Sequence, residues 1–369
     1  MSATDVPAPP RQRSARGEAV RVEWERRTNS FTELAARVRE QGLNRRHRWF
    51  YFALLGGLVV ALAGAFTGMA LLGDSWFQLL IAAALGVIFT QFAFVGHEAS
   101  HRQVFTSGRA NDRLGRVVAT FFVGISYAWW MTKHNRHHGN PNQVGRDPDI
   151  APGWVAFTED DAAVATGFRG WLNRRQGWLF FPLLPLLGLD LHQASIGRLF
   201  RRGKLEGRAQ ELSWLALRFS LYLGVVFWLL PIGLAFAFLG VQVAVFGTYM
   251  GLSFAPNHIG MPIVPHGAKL DFLDKQVLTS RNVSGGWWMT MLMGGLNYQI
   301  EHHLFPSMPR LHLAKARRLV REHCRRHDVP YAENNIVQAM TIVVRYINQV
   351  GWAARASFSC PAAASMGRF

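Results

Sequence analysis

WFQLLIAAALGVIFTQFAFVGHEASH, residues 76–101, begins as hydrocarbon and ends in imidazoles. From Trp76 to Gly96 it contains no Asp, Glu, Lys or Arg. About 20 apolar residues let a helix cross a bilayer, so this stretch predicts a membrane span. His97 and His101 are four residues apart and share one helix face at the end of that span.

Working outward, Trp49 to Leu72 is a second apolar stretch, joined to the first by Gly73–Asp74–Ser75. Further on lie Trp214 to Leu239, interrupted by Arg218 and Pro231, and Val241 to Ala255, with almost no loop between them. The pattern predicts an all-α membrane protein with about four transmembrane helices in two hairpins. Two shorter apolar pieces, Val117 to Trp130 and the proline-containing Trp178 to Leu191, predict interfacial or half-inserted helices. The links inside each hairpin carry no Lys or Arg, whereas the N-terminal segment, residues 97–208 and the C-terminal third are arginine-rich. The positive-inside rule then puts both termini and the middle segment in the cytoplasm. No internal repeat goes beyond the pair of hairpins.

Residues 1–29 lack an apolar signal core and read as a disordered tail, and 353–369 as a flexible one, leaving 30–352 as a single membrane domain. Within it, Ser30 and Glu33 fit a capping box. Leu34, Val38 and Leu43 form an apolar stripe, which predicts a helix over 30–46 lying on the membrane surface. The 369 residues are half hydrophobic and carry a net charge of +17. Anionic lipid headgroups attract such a surface. No nucleic-acid-binding motif accompanies the charge, so a nucleic-acid partner is excluded. Cys324 and Cys360 lack CxxC spacing and read as free thiols in a reducing compartment.

Two more histidine clusters join the first. His134, His137 and His138 stand in HNRHH; His302 and His303 stand in QIEHH, with Gln299 three residues before His302. All fall on the predicted cytoplasmic side. One such cluster is weak; three on one side of one membrane predict metal binding. Without a metal, seven imidazoles beside an apolar wall would leave many donors and acceptors to satisfy. Seven exceed the ligands of one tetrahedral zinc. Two iron ions with about four or five nitrogens each fit the number better, although imidazole suits iron and zinc alike.

GHEASH, KHNRHHGNP and NYQIEHHLFP, in that order and with LDFLDKQVLTSRNV at 270–283, resemble the membrane fatty acid desaturases. That family's signature is HxxxH, HxxHH and a third HxxHH or QxxHH. The resemblance runs from about Phe31 to about Gly351, and the glutamine form of the third box is similar to the front-end and actinobacterial acyl-CoA desaturase branch. It implies a cytoplasmic di-iron cap with His97, His101, His134, His137, His138, His302 and His303 as iron ligands. It implies a further ligand near the end of the fourth span, where His258 stands in FAPNHIGMP. Asn257 beside it could hold a metal-bound water or cap the helix. Gln299 could bind weakly or hydrogen-bond a ligand. His192 could line the site or pack at the interface. Glu98, Glu301, Asp147 and Asp149 are candidates to accept the outer N–H of a ligand imidazole. The remaining histidines (His47, His266, His312, His323 and His327) are expected at the surface.

The implied reaction is O2-dependent desaturation of a fatty acyl chain, carried as acyl-CoA or acyl-lipid, with O2 reduced to water and two electrons supplied from outside. An HPGG haem motif is absent, so a separate ferredoxin, cytochrome or NAD(P)H reductase is expected. A bacterial plasma membrane is the expected location. Trp129–Trp130 and Trp287–Trp288 line an acyl tunnel or form interfacial belts. An alkane or acyl hydroxylase, or a carotenoid oxygenase, would use nearly the same site. A non-enzymatic metal-binding protein or transporter is the remaining alternative, although a transporter should place its ligands at mid-membrane.

Overall fold

The computed structural model describes residues 30–353. The expected tails, save Ala353 at the end of the last helix, and Cys360 lie outside the described residues. The charge-free runs fold as long helices: α2 (Arg48–Leu72) and α3 (Gln78–Ser100) follow α1 (30–40). Trp49 and Leu71 on α2 remain 85% and 83% exposed, as suits a helix facing lipid. Along α3 every residue from Phe94 to Ser100 is buried, so the histidine end of this helix is covered by protein.

After α4 (Gly108–Arg116), a π-helical turn (Val117–Val123) ends at Gly124, whose φ of 94° suits glycine. The chain restarts as α5 (Tyr127–Gly139) after a bend of 113°. The expected half-inserted piece Val117–Trp130 is this bend. Ser126 caps α5 by accepting from Trp129 N at 3.1 Å, and buried Glu211 accepts from Ser126 Oγ (2.5 Å) and Ala128 N (3.1 Å). A carboxylate at a helix N-terminus complements its free N–H groups and dipole, so Glu211 anchors the helix that carries the second histidine cluster.

Short helices α6 (Glu159–Ala163) and α7 (Gly167–Asn173) lead to α8 (Gln176–Phe200), α9 (Arg208–Leu229) and α10 (Ile232–His258). Among the described residues, five helices are long and apolar enough to cross a membrane: α2, α3, α8, α9 and α10. The fifth is α8, expected to stop at Leu191 but continuous through Pro182 and Pro185 for 25 residues. The second hairpin turns at Leu230–Pro231, not near Gly240 as expected. Pro231 has no N–H to donate and forces Leu230 out of the helical region, to φ −117° and ψ 141°.

α8 and α10 meet at glycines. A Cβ on Gly247 would sit 2.3 Å from Gly188 N, and one on Gly188 2.4 Å from Val243 O. Helices touching through small residues gain dispersion contact where lipid offers no hydrophobic drive. Gly247→Ala should therefore destabilise the fold by about 1–3 kcal/mol or more. Gly57→Ala on α2, where nothing lies within 4 Å, should be neutral or slightly stabilising. Thermal unfolding in detergent checks both; equal melting temperatures would contradict the close approach.

The remaining described chain forms α11 (Phe272–Leu278), β1 (Asn282–Ser284), α12 (Gly286–Leu292), a 3-10 turn (Leu296–Tyr298), α13 (Gln299–Leu304), α14 (Arg310–Arg326), β2 (Glu333–Asn335) and α15 (Ile336–Ala353). β1 and β2 pair in parallel, Asn282 opposite Glu333 and Val283 opposite Asn334, a small departure from an all-α fold. The apolar stripe of α1 does not lie on lipid. Leu34, Val38 and Leu43 are buried in one cluster with Val277, Ile300, Leu304, Leu313 and Val320. Ser30 already lies within α1, and its hydroxyl is 2.6 Å from His323 Nε2.

Candidate metal centre

Four elements bring histidines to one place. The end of α3 supplies His97 and its C-cap His101; α5 supplies His134, His137 and His138; α10 ends on His258; α13 supplies Gln299, His302 and His303. The i, i+3 and i, i+4 spacings put each set on one helical face. Gly294 and Gly295, at φ 58° and 85°, lead into α13, and a Cβ on Gly294 would come within 2.4 Å of the Phe94 ring. Glycine here lets the third cluster approach α3.

The eight imidazoles form two groups. His97, His101, His134, His138 and His302 each offer an atom within 4.8 Å of the others, and so do His137, His258 and His303. In the first group His134 Nε2 lies 3.0 Å from His97 Nε2 and 2.8 Å from His101 Nε2. In the second, His258 Nε2 lies 3.3 Å from His137 Nε2 and 2.9 Å from Gln299 Nε2. A neutral imidazole has one N–H, so such crowding cannot be satisfied by hydrogen bonds alone. Several buried nitrogens have no partner at all: His97 Nδ1, both of His138, His302 Nε2 and His303 Nε2. Each orphan costs about 1–3 kcal/mol. Burial and neighbouring imidazoles push His302 and His303 well below the ordinary histidine range, so they offer lone pairs. The donor set fits two cations, one beside each group.

The second group is held from behind. His137 Nδ1 donates to Asp147 Oδ2 at 3.0 Å, with Asp149 Oδ2 at 3.3 Å. His258 Nδ1 donates to Thr279 O and His303 Nδ1 to Gln276 Oε1, both at 2.9 Å. Each contact fixes the tautomer that turns the Nε2 lone pair inward. Of the four acidic residues considered as imidazole acceptors, Asp147 and Asp149 are thus the two that lie against one. Gln276 and Thr279 were missed; the only signal was their position inside LDFLDKQVLTSRNV, and neither is a metal-type residue.

Glu98 and Glu301 do not support imidazoles. Adjacent helix positions point about 100° apart, so each carboxylate leaves the face its neighbouring histidine uses. Glu98 Oε1 accepts from Arg310 Nε (2.6 Å) and Tyr51 Oη (3.1 Å). Glu301 accepts from Asn282 Nδ2 (2.7 Å) and Tyr331 Oη (2.8 Å), and burial pushes it up to about 7 despite those bonds. His192 joins neither group: its nitrogens face Gly188 O (2.7 Å) and Val123 O (3.3 Å) beside Phe246. Asn257 Nδ2 donates to Ser253 O (2.9 Å) and Gln299 Oε1 (3.2 Å), so it steadies Gln299. Trp130 stacks on His134 with centroids 4.7 Å apart, whereas Trp287 and Trp288 are exposed as a belt residue would be. Of the histidines expected at the surface, His323 is fully buried under α1 and His312 is half-buried against His47.

The chain is 27% identical over 343 residues to the Delta(8)-fatty-acid desaturase 2 of Arabidopsis thaliana, covering 89% of this chain and 76% of that protein. It is 27% identical to an acyl-lipid (9-3)-desaturase of Borago officinalis, with the same two coverages. It is 28% identical to the Delta(6)-fatty-acid desaturase fat-3 of Caenorhabditis elegans, covering 82% of this chain and 70% of that protein. All three are eukaryotic and lend no support to the expected bacterial plasma membrane. The family model described as fatty acid desaturase matches residues 74–335, more than half of the sequence. The chain belongs to the fatty acid desaturase family.

Proposed function

We propose that this protein introduces a double bond into a fatty acyl chain, using O2, at two iron ions held by His97, His101, His134, His138 and His302 on one side and His137, His258 and His303 on the other. The observation that carries the reading is the set of paired imidazole groups with unpartnered buried nitrogens, in a chain of this family. The metals, when bound, would supply the O2-dependent removal of hydrogen from an unactivated C–H bond. The polypeptide holds them, sets their tautomers through Asp147, Thr279 and Gln276, and covers them from water with the cap. Domain limits of 30–352 accompany this reading. The substrate is an acyl-CoA or acyl-lipid, and the two electrons come from a donor protein, for which the basic face is suited.

The meeting of histidines from α5 and α10 supports four complete crossings. His137 and His258 are 3.3 Å apart at Nε2, so the chain between them crosses the bilayer an even number of times. Three apolar helices, α8, α9 and α10, lie between. α10 runs beside α3 in the same direction: Gly86 meets Gln242 and Val245, and Phe94 meets Tyr249. Pro231 folds α9 back along it, with Tyr222 against Gln242. That leaves α8, with its two prolines, as the helix that enters without completing a crossing. Arginine in the segments on the histidine side supports a cytoplasmic orientation for that side.

Expression in a host with a simple fatty acid profile, beside a His137→Ala/His138→Ala control, tests the reading. Gas chromatography–mass spectrometry with double-bond localisation should show a new unsaturated species only with the intact protein. A hydroxylated product would replace desaturation by hydroxylation. Purified protein given reductant and candidate acyl-CoAs, with no product and no O2 uptake, would sink the proposal. Asp147→Asn keeps the shape but weakens the acceptor behind His137, so metal affinity should fall about 10–100-fold. Iron retained against graded chelator measures this; an unchanged midpoint would count against the orienting role.

A further inference from the structure

We propose that Glu33, His323 and His327 form a third metal site, a zinc clamp between α1 and α14. None of the three belongs to either imidazole group above, and one donor atom from each lies within 4.8 Å of the others. His323 and His327 are four residues apart at the end of α14, with ring centroids 4.3 Å apart. Glu33 faces them from α1, three residues after Ser30.

His323 is the independent sign of a ligand. It is 0% exposed, yet its Nδ1 has no hydrogen-bond partner. Its Nε2 is engaged by Ser30 Oγ at 2.6 Å. With Nε2–H donating to that hydroxyl, the Nδ1 lone pair is buried and unused, the arrangement in which an outer hydrogen bond sets a metal-binding tautomer. Burial and the neighbouring His327 push the imidazole down to about 4, so it is neutral at pH 7.

Two imidazoles and a carboxylate are a zinc donor set, with water as the fourth ligand. Bonds of about 2.0–2.2 Å imply donors about 3.4 Å apart, so closure asks for a shift of about 1 Å. The Glu33 side chain is 54% exposed and, among the described residues, held only by a loose ion pair, so it has room to turn. Arg37 and Arg326 oppose a cation, but both pair with Glu322, and Arg326 lies 3.8 Å from Glu33. The two glutamates balance the two arginines. A bound ion would tie α1 to the helix that follows the third histidine cluster, at the cluster of buried side chains both share.

The test uses full-length, tag-free, iron-loaded protein titrated with zinc chloride, then freed of excess and analysed for zinc and iron by mass spectrometry. The expected result is one zinc per chain with iron unchanged, and a zinc-dependent rise in melting temperature. His327→Gln and Glu33→Gln each remove a ligand, so each should weaken zinc binding at least as much as losing an outer-shell partner does, about 10–100-fold, and abolish that rise, while iron content and the zinc-free melting temperature stay as in the parent. These partly exposed positions avoid the folding risk of replacing buried His323. Zinc not retained, zinc retained equally by parent and both variants, or zinc gained only as iron is lost would each overturn the clamp.

Discussion

His302→Ala is expected to cut bound iron from two per chain to one or none and to lower desaturation by roughly a thousandfold or more, since the chemistry belongs to the metals and not to a side chain. His302 lies within ring contact of His97, His101 and His138, with centroids 4.8, 4.7 and 4.9 Å away. Its Nε2 has no partner in the polypeptide, so the substitution removes a ligand without cutting an internal hydrogen bond at that atom. His192→Gln is the contrasting variant. Both its ring nitrogens already face backbone carbonyls, so both irons should remain. Metal analysis and product yield on the two variants decide the assignment. A His302→Ala protein with two irons and more than a tenth of parental activity would remove His302 from the ligand set, and iron loss in His192→Gln would add His192 to it.

The histidine faces were legible because helical periodicity is local. Four residues between His97 and His101, or three between His134 and His137, fix a shared face whatever the rest of the chain does. Asp147 and Asp149 were legible through chemistry, since a ligand imidazole wants a carboxylate behind it. Gln276 and Thr279 were not, because an amide or a backbone carbonyl becomes a partner only when α11 is folded beside His303 and His258. Glu98 and Glu301 show the converse: nearness along the chain suggested a role that the direction of a helical side chain denies. The stripe on α1 is legible in the sequence but its protein covering is not, because an amphipathic pattern records a buried face without naming what covers it. The extent of α8 was hidden for a related reason. Prolines usually end helices, but here they sit in a helix whose next turns press glycine to glycine against α10.

The largest stability effect is expected at the Glu98–Arg310 pair. Both side chains are 1% exposed, and Arg310 donates through Nε at 2.6 Å and through Nη2 to the two carboxylate oxygens. Tyr51 also donates to Glu98. Glu98→Ala leaves a guanidinium buried with no counter-charge, which costs about 3–5 kcal/mol. Glu98→Leu with Arg310→Met removes both charges at similar volume, and stability should return to within about 1 kcal/mol of the parent, because the pair's own desolvation cost disappears with it. Unfolding in detergent of the parent, Glu98→Leu, Arg310→Met and the double variant closes the cycle and gives the coupling directly, with Glu98→Ala measured beside them. A loss below about 1 kcal/mol for Glu98→Ala would mean that water reaches the pair. The cycle also separates stability from placement. Glu98 lies between His97 and His101 on α3, and Arg310 opens α14 directly after the α13 histidines, so the bidentate pair sets how closely the first and third clusters approach. The double variant should therefore fold as well as the parent while holding iron about tenfold more weakly. Full iron retention in that variant would instead assign the spacing to the Gly294–Phe94 contact alone.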